Sequence, residues 1–139
     1  MNALTAARSL YNRDAVLSAS PARILTMLYD RLLLDLQRAE SAQVAGNWTA
    51  ASPNLLHAQE IVAQLSSSLK PELWEGGPGL SAIYTFVTTT LISANVDRSV
   101  ERTRECIALL EPLRQSWHQA AATVAATSSA FDERGQALA

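Results

Sequence analysis

The 139-residue chain is one domain's worth of protein, long enough to bury a core without disulfides or metal. Its 48% hydrophobic and 17% charged residues mark a globular protein, and a net charge of −2 offers no field for nucleic acid or anionic lipid. The lone Cys106 excludes an internal disulfide and fits a reducing compartment, so the cytoplasm is the expected location. No uninterrupted apolar run reaches the roughly 18 residues that span a bilayer, and the first residues lack a signal peptide's pattern, so no membrane insertion is expected.

Residues 1–19 are too short and polar to equal a bundle helix, but Leu10, Tyr11, Val16 and Leu17 suit a segment lying against one. Ser20 is a good N-cap, and Pro21 then falls at N1, where a missing N–H costs nothing. This predicts a first helix from Pro21 to Val44. Leu25, Leu28, Leu32, Leu36 and Ala39 form its stripe, while Ile24, Met27 and Leu34 lie off it. A helix apolar on more than one face needs cover on more than one side.

Gly46 and Asn47 end that helix and start a second, striped by Leu55, Ala58, Val62, Leu65 and Leu69. Pro53 leaves two starts open: a fresh cap at Ser52, or a helix running through the proline from Asn47. Residues 70–79, KPELWEGGPG, read as the longest loop. Leu80, Tyr84, Val87, Leu91 and Ala94 mark a third helix, whose threonines have only middling helix propensity. Asp97 is the expected cap of a fourth, striped by Val100, Thr103, Ile107, Leu110, Leu113, Trp117, Ala121 and Val124 and bent at Pro112.

Four striped helices with short connections imply an all-α fold, an antiparallel up-down four-helix bundle with a short N-terminal capping segment. The expected organisation is a cap over 1–19, a bundle over 20–127 and a frayed tail over 128–139.

Catalytic equipment is sparse. His57 and His118 have no ligand partners at helical spacing, the Cys106–His118 pair spans three turns, and no Glu-x-x-His motif occurs. EGGPG lacks the Lys-Ser/Thr of a phosphate loop, and no nucleophile elbow is present. No cofactor, metal or catalytic residue is assigned. What stands out is the apolar surplus, which suits a groove for a partner. A self-associating structural bundle and a metal-binding bundle enzyme are the competing readings.

The pattern Y-(x)4-V-(x)2-A-S-P-(x)3-L-(x)2-L-Y-D at Tyr11, Val16, Ala19, Ser20, Pro21, Leu25, Leu28, Tyr29 and Asp30 resembles the signature of the flagellar secretion chaperone FliS family. The resemblance continues in order through HAQEIVAQLSSSL at 57–69, LSAIYTFVTTTLISANV at 80–96 and ALLEPLRQSW at 108–117, covering residues 8–122. It departs at Arg31, where the family usually has glycine, and at Pro53.

The resemblance implies a cytosolic, ATP-independent chaperone. Its partners would be the C-terminal segment of flagellin, kept from premature polymerisation, and the cytoplasmic domain of the flagellar export gate. It also implies an N-terminal segment that covers the groove and moves aside, here with Tyr11 and Val16 as anchors. The flagellin-binding groove is expected from Leu25, Leu28, Tyr29 and Leu32, with Leu65, then Tyr84, Val87, Leu91 and Asn95, and finally Leu110, Leu113 and Trp117.

Overall fold

The computed structural model describes residue 3 and residues 20–138. Four α-helices and no strand occur among them: α1 (Pro21–Val44), α2 (Trp48–Ser68), α3 (Gly77–Val96) and α4 (Val100–Leu138). A single 3-10 turn, Pro71–Leu73, lies between α2 and α3. The chain divides into two compact units, Leu28–Arg114 and Met1–Met27 with Gln115–Ala139. The expected capping residues Tyr11 and Val16 lie outside the described residues.

Within Leu28–Arg114, the side-chain bonds between helices fix the topology. Arg114 pairs with Asp30 and Arg104 with Glu40, so α1 and α4 run antiparallel. Tyr29 meets Tyr84 and Gln43 reaches the Ala94 carbonyl, so α1 and α3 run in the same direction. Residues 45–47 are the whole connection to α2, whose His57 pairs with Asp35 of α1. Short connections and alternating directions make an up-down bundle, with Leu32, Leu36, Leu55, Val62, Val87, Leu91 and Leu110 in its core.

The first helix starts where the sequence predicts. The Arg23 N–H donates to Ser20 Oγ at 3.3 Å, and Pro21 occupies the first helical position. α2 takes the second of its two possible starts: Asn47 caps it, accepting from the Ala50 N–H, and Pro53 lies inside the helix. α3 begins three residues before Leu80, because Pro78 in the first turn needs no N–H acceptor and the loop closes as a 3-10 turn instead. Three of its threonines return their hydroxyls to the carbonyl four residues back: Thr85 to Ser81, Thr88 to Tyr84 and Thr89 to Thr85.

The expected cap of α4 is corrected. Asp97 closes α3, its N–H donating to the Ser93 carbonyl, whereas Ser99 caps α4 by accepting from the Arg102 N–H at 3.3 Å. The reason is the turn: Arg98 is left-handed, at φ 52°, and sets the chain's direction so that Ser99 stands at the head of α4. Nor does α4 end at Thr127. It runs through the expected tail to Leu138, across an alanine-rich stretch with high helix propensity.

α3 is also long and apolar enough to cross a membrane by length and composition, with mean hydropathy 1.2, the one such helix among the described residues. No unbroken apolar run is needed for that, since threonine, serine and glycine lower the mean less than charges do. Its stripe of Leu80, Tyr84, Val87, Thr90, Leu91 and Ala94 is buried in the bundle.

Candidate functional site

Three buried polar contacts lock the helices of Leu28–Arg114 together. The Tyr29 and Tyr84 hydroxyls lie 2.6 Å apart. Burial, and then the hydrogen bond to Tyr29, push the Tyr84 phenol well above its ordinary range, so it stays neutral. At the other end Thr103 Oγ1 donates to Gln43 Oε1 at 2.7 Å, and Gln43 Nε2 donates to the Ala94 carbonyl at 3.2 Å, joining α1, α3 and α4. Between them the buried Asp35 carboxylate accepts from Arg31 Nε at 3.0 Å and from His57 Nδ1.

Of the twelve residues expected to line a groove, seven lie in the core. Tyr29, Leu32, Leu65, Tyr84, Val87, Leu91 and Leu110 are each at most 2% exposed. They face one another across the bundle axis, as a stripe of steps three and four does in a closed bundle. Leu28, Asn95 and Leu113 are half-buried at its margins, and so are Leu25 and Trp117 in the other unit.

The apolar surface comes from residues outside the stripes. The off-stripe residues of α1 are exposed, Ile24 by 46%, Met27 by 52% and Leu34 by 37%. On α2 Leu56 is open, and on the following loop Leu73 and Trp74. α3 has no charged residue along its whole length, and its outward face presents Thr85, Phe86, Thr89, Ile92 and Val96. The stripe search passes over Phe86, Ile92 and Val96 because they lie opposite or beside Tyr84, Val87 and Leu91 on the helical wheel. The signal that could have found them is the absence of any charge on twenty successive positions, since a solvated helix normally puts charges outward.

Among the described residues, nothing in the arrangement resembles a reaction centre. Cys106 is fully buried, and burial, followed by the nearby Glu105, pushes its thiol up to about 12, far from a reactive thiolate. Among the described residues, no group of three or more His, Cys, Asp or Glu could hold a metal ion. Arg114 bridges Asp30 and Glu111 on the surface between α4 and α1, which holds its guanidinium charged more firmly than usual.

The fold is thus a helical bundle with a closed, hydrogen-bonded core and apolar side chains left outside it. Comparison with known proteins shows its family. The family model described as flagellar protein FliS matches residues 3–124. The flagellar secretion chaperone FliS of Bacillus subtilis (strain 168) is 26% identical over 110 residues, spanning 79% of this chain and 82% of the relative. The protein of the same name from Escherichia coli (strain K12) is 29% identical over 111 residues, with 76% and 79% covered. That from Salmonella typhimurium is 30% identical over 110 residues, with 76% and 80% covered. The chain belongs to the FliS family of flagellar secretion chaperones, which is not a family of enzymes, and its partner is one related to flagellar export.

Proposed function

We propose that the protein is a cytosolic export chaperone that binds the C-terminal segment of flagellin in apolar grooves. It thereby prevents premature polymerisation and hands the subunit to the cytoplasmic domain of the flagellar type III export gate. The observation that supports this reading best is the uncharged outer face of α3, with Phe86, Ile92 and Val96 exposed above a sealed core. A disordered tail can lay amphipathic turns on such a surface, and its ordering entropy keeps the complex releasable.

In this reading the buried members of the expected groove shape its floor, and Leu28, Asn95 and Leu113 form its edges. Tyr11 and Val16 anchor the segment that shields it when no flagellin is present. A shield of this kind lowers apparent affinity by the fraction of time it is closed.

The test is a calorimetric titration of the full chain with a synthetic C-terminal segment of flagellin from the same organism. Saturable binding at micromolar concentration, with a negative heat-capacity change, is expected. Absence of binding overturns the reading. Self-association without peptide that competes with peptide would instead favour a structural bundle.

A further inference from the structure

The α1–α2 and α3–α4 turns each contain one left-handed residue, Gly46 at φ 70° and Arg98 at φ 52°. Glycine takes that conformation without strain, whereas an arginine there works against its own Cβ. A strained position kept by a charged residue points to a use for the side chain. The guanidinium of Arg98 lies over the Trp48 ring, 5.6 Å from its centroid. No carboxylate among the described residues pairs with it, and the adjacent Asp97 is turned toward Arg102, 3.8 Å away.

Beside this pair is a cavity of about 350 Å³ between the first turns of α2 and the last turn of α3. Thr49, Ser52 and Asn95 offer hydroxyl and amide groups to it, Leu55 gives it an apolar side, and no acidic residue lines it. One cation, several neutral donors and no anion are the complement of a carboxylate. The volume is at the small end for ligand sites, enough for one or two residues of a peptide rather than a cofactor.

We propose that this cavity binds a carboxylate attached to a short apolar body, the guanidinium of Arg98 pairing with the carboxylate and the Trp48 ring packing on the body. A chain terminus and an acidic side chain share that chemistry. The proposal does not depend on the chaperone reading, because its probes are single blocked amino acids.

The test is titration of the full chain, followed by amide spectra, with three probes: N-acetyl-leucine, its amide, and the α-amide of N-acetyl-glutamate. Saturable shifts at Trp48, Thr49, Asn95 and Arg98 are expected with the two acids, and about tenfold weaker binding with the neutral amide, because a charge-assisted pair is lost. Tighter binding of N-acetyl-leucine identifies a chain terminus as the natural source, and tighter binding of the glutamate derivative an acidic side chain. Equal binding of acid and amide, or no saturable shift at these residues, overturns the proposal.

Arg98→Gly separates binding from structure. It relieves the left-handed strain, so its thermal midpoint should not fall, while binding of the acids is lost; Arg98→Lys should keep part of it. A lowered midpoint with unchanged acid binding would show Arg98 to be only a brace for Trp48.

Discussion

Asp35 of α1 and His57 of α2 form a bridge whose two halves differ in exposure: the carboxylate side chain is 1% exposed and the imidazole 44%. With Arg31 one turn earlier also donating, the carboxylate is a buried charge held from its solvent side by two partly exposed donors. Removal of the carboxylate therefore loses hydrogen bonds but strands no cation in the core. Asp35→Ala is expected to cost about 1 to 3 kcal/mol. His57→Ala should cost less than Asp35→Ala, because Arg31 still serves the carboxylate. Urea denaturation of the two variants checks the order, and a larger loss for His57→Ala would show that its ring packs more than it pairs.

The Tyr29–Tyr84 hydroxyl pair predicts non-additivity. Tyr29→Phe takes a hydrogen-bond partner from a buried, neutral phenol, which costs about 1 to 3 kcal/mol. The double change to phenylalanine removes both hydroxyls together and leaves no orphan from this pair. It should be milder than the sum of the single changes by about 0.5 kcal/mol or more. A strictly additive cycle in chemical denaturation would refute the coupling.

Alkaline pH should weaken the fold through the same burial. Cys106 titrates near its ordinary value when unfolded but at about 12 when folded, so above pH 9 the unfolded chain has lost a proton that the folded chain keeps. Stability is then full below about pH 9 and falls as pH rises toward 12, with Tyr84 adding to the loss above about pH 10, where unfolded phenols ionise. Cys106→Ser should flatten the early part of that fall. In the wild type, reaction of the thiol with a disulfide reagent at pH 8 should follow the rate of opening, and immediate reaction would contradict its burial.

Surface and core variants on α3 should separate cleanly. Leu91→Ala empties a fully buried site and is expected to cost about 2 to 5 kcal/mol. Phe86→Asp and Ile92→Glu change side chains 49% and 46% exposed, so their stability should stay within about 0.5 kcal/mol of the parent. Binding of the flagellin segment should fall at least tenfold in both surface variants. Unchanged affinity in the pair would remove the outer face of α3 from the docking surface.

That contrast also measures what was legible beforehand. Periodicity located the helices because each must bury one stripe, and the Ser20-Pro21 start followed from cap chemistry, whereas Pro53 left the start of α2 open between Asn47 and Ser52 until packing chose Asn47. The same stripe, used to choose groove residues, selected Tyr29, Leu32 and Val87, which the closed bundle buries. The exposed apolar surface lies instead in the remainder: Ile24, Met27 and Leu34, which a one-sided helix has no need of, and the charge-free length of α3. The cap of α4 was missed because a left-handed arginine occupied the place where glycine would have announced the turn. α4 continues to Leu138 over the residues expected as a frayed tail, because its alanines favour helix strongly.

Two neighbouring glycines at the start of α3 should respond to alanine in opposite directions. At Gly77 a Cβ would run into the backbone of Pro71, including its carbonyl, and backbone cannot swing aside as a side chain does. Gly77→Ala therefore has to shift the 3-10 turn against the helix, and a cost of about 1 to 3 kcal/mol is expected. At Gly79 nothing lies within 4 Å of the added carbon, and the residue is helical. Gly79→Ala should stabilise by about 0.4 to 1 kcal/mol, chiefly by restricting the unfolded chain. Thermal melts of both variants at one pH decide the matter. If Gly77→Ala were as stable as the parent, the close approach of Pro71 to α3 would not be what holds the α2–α3 connection in place.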